Sequence, residues 1–295
     1  MQIRPRDVSP DAIELRPMTE ADLVGADELR QLAGWNQTIG DWRRLLQLEP
    51  GGCFVAVHNR VLAGTVTTTV HGSRLAWIGM MLVHPEHRRK GIATGLMQRA
   101  LEYLRQRHIE CVKLDATPAG QPLYEQLGFA NEWTLQRWQR PGGPGIDTQS
   151  LPGDVRDFSE SDWPVVLALD EAAFGVERWP LLRRLVDESV RVMVSPATGK
   201  PSCWGLLRTG TESDYLGPVA CAPAEGAMAL IQNLLAHSVG RNVTWDIPDN
   251  NQAAQSIART LGFAPVRVLT RMRLGPRADA TQPQSLFGIA DPAVG

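Results

Sequence analysis

The residues that could do chemistry are concentrated in one basic, glycine-containing turn. Arg88, Arg89 and Lys90 precede Gly91, and a helical pattern of apolar residues follows. A turn at a helix N-terminus leaves backbone N–H groups unpaired where the helix dipole is positive. Each charge-assisted bond from such a group to a phosphate contributes roughly 1.5–3 kcal/mol. The turn therefore predicts a site for a phosphate or pyrophosphate group.

A strand before this turn and a helix after it must hold it in place. The run Trp77–Val83 is apolar and stops at Pro85, which predicts a buried strand. Apolar residues recur at helical spacing from Leu96 to Leu104, which predicts an amphipathic helix. The turn has neither the G-x-x-x-x-G-K-[ST] sequence nor the three spaced glycines of the dinucleotide motif. Both of those phosphate-binding loops are therefore excluded at this position.

The turn resembles the acetyl-CoA loop of the GNAT N-acetyltransferases. That loop is written [RQ]-x-x-G-x-[GA], and Arg88, Gly91 and Ala93 match it. A second motif, L-Y-E-Q-L-G-F at Leu123–Phe129, is similar to the family's L-Y-E-x-L-G-F. Together with the predicted order β-α-α-β-β-β-α-β-α-β, the resemblance covers residues 13–138. It implies an α/β fold of the mixed-sheet, α+β type.

The resemblance also implies which residues bind the cofactor and catalyse the reaction. Tyr124 is the expected general acid, whose phenol donates a proton to the departing coenzyme A sulfur. The alternative is that Tyr124 packs as an ordinary core residue of a short helix. Thr117 stands where the family usually has an asparagine, seven residues before the tyrosine. No metal is expected, and the residues expected to contact acetyl-CoA are Met81, Leu82, Val83, Arg88, Arg89, Lys90, Gly91, Ile92, Ala93, Thr94, Thr117 and Tyr124.

The acceptor pocket is marked mainly by aromatic residues. Trp35, Asn36 and Trp42 lie where GNAT proteins form the acceptor-side wall. A lysine-like amine, with a pKa of ~10.4, costs about 4–5 kcal/mol to deprotonate at pH 7. Many family members place a glutamate on the central strand for this purpose, but Trp77, Gly79 and Met81 are all non-acidic here.

The identity of the base therefore stays open between several alternatives. His84 and His87 lie beside the loop, although histidines in such places are more often exposed bystanders. A water relay or an arylamine-like acceptor of low pKa would need no side-chain base. Asp246 or Asp249, from the second half of the chain, could also supply a carboxylate.

The second half of the chain repeats the first. Arg16–Asp22 recurs as Arg156–Asp162, and Leu127–Phe129 recurs as Leu261–Phe263, so the chain is predicted to contain two copies of one fold. The second copy is shorter between Pro223 and Leu230, where its phosphate turn is missing. This pattern resembles tandem GNAT proteins in which one active copy precedes a degenerate, YitH-type C-terminal copy.

The predicted domain organisation follows from that repeat. Residues 1–138 are expected to form the acetyl-CoA-binding GNAT domain and residues 154–275 the degenerate GNAT-like domain. A Pro- and Gly-rich linker, 139–153, is predicted between them. Residues 276–295, rich in Pro, Ala, Gly and Gln, are predicted to be a mobile tail.

Composition narrows the class of protein and its surroundings. A chain of 295 residues with 43% hydrophobic content allows about two globular domains. The net charge of −2, without long charge blocks, gives no support for a nucleic-acid or membrane partner. Without a signal region the expected location is the cytoplasm. The cysteines at 53, 111, 203 and 221 are predicted to be reduced core thiols.

The sequence thus predicts an acetyl-CoA-dependent N-acetyltransferase acting on the primary amine of a small-molecule or amino-acid-like acceptor. Two alternatives remain: a non-catalytic sensor of acyl-CoA, and a protein N-acetyltransferase. The second copy is expected to complete or cover the acceptor pocket. The protein is expected to be a monomer with its two domains paired as in a dimer, or a homodimer.

Overall fold

The computed structural model describes residues 13–143, 151, 154–196, 198–277 and 281–295. These residues divide into two compact units. The first comprises the described residues up to Thr68, together with Met80–Arg107. The second comprises Thr69–Gly79 and the described residues from His108 onward. Two strands of the first half of the chain therefore pass from one unit into the other.

The first unit contains three helices beside an antiparallel sheet. Its strands are β1 (Glu14–Pro17), β2 (Phe54–His58), most of β3 (Val61–His71) and the end of β4 (Leu75–Val83), and its helices are α1 (Leu23–Leu32), α2 (Ile39–Leu48) and α3 (Ile92–Gln106). β2 pairs with β1 on one side and with β3 on the other, antiparallel in both cases. β3 in turn neighbours β4, which leads into the phosphate turn.

Local sequence signals explain where these helices begin. α2 starts with a capping box, in which the Thr38 hydroxyl accepts a hydrogen bond from the Asp41 N–H and the Asp41 carboxylate accepts one from the Thr38 N–H. α3 buries Leu96, Met97 and Ala100, the face that the apolar spacing predicts. The helix therefore packs through this face, and its N-terminal end stays at the surface.

The second unit holds the rest of the chain. Its helices are α4 (Gln121–Gln126), α5 (Trp163–Phe174), α6 (Trp179–Asp187), α7 (Ala227–Leu235) and α8 (Gln252–Thr260), and its later strands are β5 (Cys111–Ala116), β6 (Ala130–Arg140), β7 (Arg156–Asp157), β8 (Arg191–Ser195), β9 (Cys203–Arg208), β10 (Asp214–Cys221), β11 (Val243–Pro248), β12 (Ala264–Leu274) and β13 (Leu286–Gly288). The order β-α-α-β-β-β-α-β-α-β occurs twice along the chain, so the predicted repeat and the mixed-sheet fold class are confirmed.

The last strands of the two copies are exchanged in the sheet of this unit. The strand order is β4-β5-β12-β6-β11-β10-β9-β8-β7. β12, from the second copy, lies between β5 and β6 of the first, with Thr270 opposite both Ala116 and Thr134. β6, from the first copy, lies between β12 and β11 and is antiparallel to both. Each copy therefore completes its sheet with a strand from the other.

The prediction of a mobile tail over 276–295 is wrong for the described residues 281–295. β13 pairs with β10 inside the second unit, and the residues from Leu286 to Ala290 are almost completely buried. The small residues of this segment suggested a mobile tail. Small residues are also required where a segment packs closely against strands and an indole ring.

Three further expectations can be compared with the structure. The four cysteines are buried and free, as predicted. Of the predicted linker 139–153, Gln139 and Arg140 belong to β6, whereas residues 144–150 and 152–153 lie outside the described residues. None of the helices that the structure describes has the length and apolarity needed to cross a membrane.

Candidate active site

The predicted phosphate turn lies between β4 and α3 in the first unit. After β4 the chain makes a 3₁₀ turn over Pro85–His87, and Gly91 caps α3 with a left-handed φ of 77°. No side chain caps the helix, so the N–H groups of its first turn have no side-chain acceptor. A β-carbon at Gly91 would meet nothing within 4 Å. Glycine is therefore needed here for its backbone conformation and not because of crowding.

The turn also gathers positive charge. Arg88, Arg89 and Lys90 are all exposed, and among the described residues no carboxylate pairs with any of them. Lys90 Nζ lies 3.4 Å from His87 Nδ1. Three cations without carboxylate partners at an uncapped helix N-terminus form a strong site for a polyanion.

The remaining loop residues are arranged around that helix end. Thr94 is exposed in the first turn and Ala93 is half-buried, whereas Ile92 is buried. Ile92 can therefore offer a ligand only its backbone N–H. Because these are successive residues of one helical turn, their N–H groups point in the same general direction. The predicted loop contacts, Arg88 to Thr94, are thus brought together.

β4 is irregular just before Met81–Val83, the residues of this strand that are predicted to contact acetyl-CoA. Met80 has a φ of 47°, which is rare for a residue with a side chain. Its carbonyl oxygen accepts a hydrogen bond from the Thr65 hydroxyl at 2.8 Å, which fixes the irregular strand to β3. Leu82 is buried and both Met81 and Val83 are half-buried. Strained backbone of this kind concentrates at functional sites, because the surrounding structure must hold it.

A histidine cluster lies beside the loop in the same unit. The ring of His87 is 5.0 Å from that of His58 and 5.4 Å from that of His84. The Nδ1 atom of His84 accepts a hydrogen bond from the Glu86 N–H, so this atom stabilises the turn. Burial lowers the pKa of His87, and electrostatic repulsion from Lys90 and from the two other imidazoles lowers it further. His87 is therefore neutral at pH 7 but is a weak base.

Tyr124 and Thr117 are brought together in the second unit. A β-carbon placed on Gly120 would lie 3.5 Å from both the Thr117 hydroxyl and the Tyr124 phenolic oxygen. The Thr117 hydroxyl accepts a hydrogen bond from the Gly120 N–H, whereas no described group bonds to the phenol. Burial raises the pKa of Tyr124 to about 12. The phenol is therefore protonated at neutral pH and free to donate.

The residues of the predicted acceptor wall lie in the first unit and differ in burial. Trp42 is completely buried in α2, so it cannot contact a substrate, and its prediction as an acceptor residue is wrong. Its position on the apolar face of an amphipathic helix explains this burial. Trp35 and Asn36 are half-buried in the connection between α1 and α2. Their role in the acceptor pocket stays a prediction.

The carboxylates suggested as bases from the second copy differ in their surroundings. Asp246 is fully buried and accepts hydrogen bonds from Arg137, at 2.6 and 2.8 Å, and from the Tyr215 phenol at 3.0 Å. It is therefore committed to a structural ion pair and is not an available base. Asp249 accepts a bond from the Thr134 hydroxyl through one oxygen. Its other oxygen is buried without a partner among the described residues.

A buried arginine next to β4 was not predicted. Arg271 of β12 pairs with Asp115 of β5 through two hydrogen bonds of 2.8 Å. Its guanidinium also lies 4.4 Å from the ring centre of Trp77 and 4.2 Å from that of Trp133. Burial raises the pKa of Asp115 despite this arginine. No spacing in the sequence could reveal this cluster, because strand exchange brings its members together.

A segment near the end of the chain lies between two strands of the second copy. β10 pairs with β11 only over Asp214 and Tyr215, and β13 pairs with β10 further along, at Val219 and Ala220. The Ile289 N–H then donates to the Asp246 carbonyl of β11 at 3.1 Å. The chain's own segment therefore fills the gap between these two strands.

Asn251 holds this segment in place. Its side-chain amide donates to the carbonyl oxygens of Pro283, Gln284 and Leu286, at 3.2, 3.2 and 3.0 Å. Asn251 occupies the repeat position that corresponds to Thr117 of the first copy. In the second copy this position thus binds polypeptide, in addition to capping α8.

The segment ends against β3 and β4 within the second unit. Trp77 Nε1 donates to the Pro292 carbonyl at 3.1 Å, and His71 Nε2 donates to the Val294 carbonyl at 2.9 Å. A β-carbon on Gly79 would come within 2.6 Å of the Ala293 α-carbon. The absence of an acidic side chain at Gly79 therefore has a structural reason, because Ala293 already occupies that space.

No metal centre is found among the residues that the structure describes, since no group of three or more His, Cys, Asp or Glu side chains could hold an ion. The chemistry that these residues offer is a polyanion site at the start of α3, and a protonated, unpaired phenol on α4. These two features are the ones that the sequence motifs mark.

Comparisons with family models match both halves of the chain. Residues 22–129 match the model described as the acetyltransferase (GNAT) family, and residues 166–288 match one described as an acetyltransferase (GNAT) domain. The sequence is 26% identical over 254 residues to the uncharacterized N-acetyltransferase YitH of Bacillus subtilis strain 168. That alignment covers 85% of this chain and 87% of YitH.

Solved structures show the same fold. A Pyrococcus horikoshii structure, described as a proposed acetyltransferase, has a TM-score of 0.83 and 21% identity, with all of both chains covered. A tandem GNAT protein from the clavulanic acid biosynthesis pathway has a TM-score of 0.62 and 18% identity, over 90% of this chain and 100% of that one. At these identities the likeness concerns the fold alone.

Proposed function

Because this chain belongs to the GNAT acetyltransferase family, with two such domains in tandem, we propose that it transfers an acetyl group from acetyl-CoA to the primary amine of a small-molecule or amino-acid-like acceptor. Acetyl-CoA supplies the thioester and the phosphates that anchor it. The observation that carries the proposal is the turn before α3. Its uncapped helix end and three cations, which have no carboxylate partners in the described part of the chain, fit a polyanionic cofactor.

A charge placed in the turn tests this binding site. In a Gly91→Glu variant the new carboxylate faces the bound phosphates. One such repulsion at 4 Å is worth about 4 kcal/mol at an effective dielectric constant of 20, or roughly a thousandfold in Kd. We therefore expect calorimetric binding of acetyl-CoA to disappear.

Gly199→Glu is the matched control for that variant. Gly199 has a φ of 76° and, like Gly91, nothing within 4 Å of an added β-carbon. The two substitutions thus impose the same backbone strain and the same change of charge. The Gly199 variant should bind acetyl-CoA like the wild type. If both variants bind equally well, the turn before α3 is not the cofactor site.

Tyr124 is the residue we assign to protonation of the leaving sulfur. Its phenol keeps its proton up to about pH 12 and has no competing partner among the described residues. Thr117 is placed beside it, with its hydroxyl accepting from the backbone. Leu82 and Ile92 can contribute only backbone groups to the proposed site, since their side chains are buried.

The surroundings of the candidate bases favour an amine that needs little help to lose its proton. His84 serves the turn through Nδ1, His87 has a lowered pKa, and Asp246 is held by Arg137. None of these resembles a strong, free base. Asp249 keeps one carboxylate oxygen without a partner among the described residues. The proposal is therefore narrowed to small amines of low pKa, whose proton passes to water or to Asp249.

Release of the coenzyme A thiol over a library of amines tests the acceptor. The library should run from arylamines to alkylamines of matched size, at fixed pH. We expect kcat/KM to fall as the acceptor's pKa rises. Turnover of peptide amines alone would instead make the protein a protein acetyltransferase, and thiol release from no amine at all would favour the acyl-CoA sensor.

A further inference from the structure

Two cysteines of the second copy face each other across neighbouring strands. Cys203 on β9 is directly opposite Cys221 on β10. The Ala222 N–H donates to the Ser202 carbonyl at 2.8 Å, whereas the Cys221 N–H points the other way, to the Ser285 carbonyl at 3.0 Å. Cys203 and Cys221 are therefore a non-hydrogen-bonded pair, in which α-carbons lie ≈ 4.5 Å apart and side chains come closest. A disulfide spans α-carbons about 4.4–6.8 Å apart, so this pair falls within its range.

The two thiols have different surroundings. Cys203 is hydrogen-bonded by Cys221, by Ser202 and by the Gly226 N–H, and these bonds lower its pKa. Burial raises the pKa of Cys221. The Cys203 thiol, which donates to the Pro223 carbonyl at 3.7 Å, therefore ionises more readily than the Cys221 thiol. This asymmetry is what a nucleophilic cysteine and its resolving partner require.

A cavity gives small molecules a route to Cys221, the direct neighbour of Cys203. Cys221 lines a cavity of about 390 Å³ together with Pro223, Ala224, Asn251 and Ser285. Water in the liquid occupies ≈ 30 Å³ per molecule, so a hydroperoxide fits easily. The cavity lies at the end of β10, beside the turn where the second copy lacks the phosphate loop.

We propose that Cys203 and Cys221 form an oxidisable dithiol site whose co-substrate is hydrogen peroxide or another small hydroperoxide. The Cys203 thiolate attacks one peroxide oxygen, forming an S–O bond as the O–O bond breaks and hydroxide leaves. This hydroxide takes up the proton that the Cys203 thiol lost on ionising, which gives the first water. The Cys221 sulfur then attacks Cys203, forming the S–S bond and breaking the S–O bond. The hydroxide released in this step takes up the Cys221 proton. In sum, two thiols and one peroxide give a disulfide and two waters, with two electrons passing from sulfur to oxygen.

Peroxide treatment of the purified, full-length chain tests the site. We expect the count of free thiols, measured after denaturation, to fall from four to two. Intact mass should fall by two hydrogen atoms, and peptide mapping should link Cys203 to Cys221. Dithiothreitol should restore all four thiols.

Cys53 provides an internal reference, because burial raises its pKa to about 12. The Cys203–Cys221 pair should react with peroxide at least about tenfold faster than Cys53. A thiol with a lower pKa has a larger thiolate fraction, and this gain outweighs the lower nucleophilicity of its thiolate. A Cys53→Ser/Cys111→Ser chain, which leaves the pair untouched, should form the same disulfide. Unchanged thiol counts in this chain and in the wild type would overturn the proposal.

A single substitution identifies the attacking sulfur. In Cys221→Ser no resolving thiol remains, so a sulfenic acid should accumulate on Cys203 and be trapped by dimedone. In Cys203→Ser the trap should label nothing at Cys221. Links between chains, or a disulfide to Cys53 or Cys111, would also contradict the assignment, whatever the acceptor of the acetyltransferase proves to be.

Discussion

Replacing Tyr124 by phenylalanine separates catalysis from packing in this protein. The substitution removes one phenolic oxygen and leaves the ring, which packs against Phe129 with ring centres 6.1 Å apart. A hydrogen bond to a group that carries charge is worth about 1.5–3 kcal/mol. At 1.36 kcal/mol per factor of ten, kcat should fall about 10- to 150-fold.

The same structure predicts the opposite effect on stability. No described group bonds to the Tyr124 phenol, so the Tyr124→Phe variant loses no native hydrogen bond and no longer buries an unpaired hydroxyl. The free energy of unfolding should stay the same or rise by about 1 kcal/mol. Acetyl-CoA affinity should be nearly unchanged, because no contact area is lost.

Tyr103→Phe is the control for this experiment. The Tyr103 hydroxyl donates to Glu49 and accepts from Arg107 on the first unit's surface. Its removal should cost about 1 kcal/mol of stability and leave kcat unaltered.

Single-turnover and steady-state kinetics of both variants, with urea unfolding of each, give the comparison. Single-turnover rates are needed because product release can hide a change in the chemical step. An unchanged single-turnover rate in Tyr124→Phe, or equal losses in the two variants, would refute the assignment of Tyr124 as the general acid.

Three other predictions follow from the second unit. Because β13 fills the gap between β10 and β11, calorimetry should return one acetyl-CoA per chain, and two sites would contradict the degenerate second copy. A fragment ending at Arg140 lacks β12, the neighbour of β5, so it should fail to give a cooperative thermal transition; a stable, folded fragment would refute the exchanged arrangement. Burial lowers the pKa of His71 to about 3, below the ~6.5 of the unfolded chain. Between those two pKa values only the unfolded state binds the proton. The free energy of unfolding should therefore be highest above pH 6.5 and should fall as the pH drops, with His71 contributing up to about 1.4 kcal/mol per pH unit. His71→Gln should flatten that slope, and an identical slope in the variant would show that His71 does not titrate as inferred.

The parts of the site that the sequence predicted are those fixed by short stretches of chain. Gly91 and its basic neighbours lie in one turn, and the apolar spacing after them orients α3. Tyr124 was likewise marked by a motif on a single short helix. Local hydrogen bonds and periodicity decide such features, so a sequence alone can indicate them.

The features that were missed depend on distant parts of the chain. Arg271 reaches Trp77 only because β12 enters the sheet beside β5. Residues 281–295 looked like a tail until their strand pairing was seen, and Trp42 looked like a pocket wall until its burial was known. Pairing between segments far apart leaves no local pattern. The domain boundaries at 138 and 154 stay predictions, as does the oligomeric state.

The exchange of β6 and β12 has a consequence for synthesis on the ribosome. Ala116 of β5 is 154 residues away from its partner Thr270, so at ~5–20 residues per second the edge of β5 waits about 8–30 s for its neighbour. During that time the nascent first copy presents an unpaired strand edge, which is a template for wrong pairing. Efficient production of this protein should therefore depend on holdase chaperones, which cover exposed segments during synthesis, more than its modest size suggests.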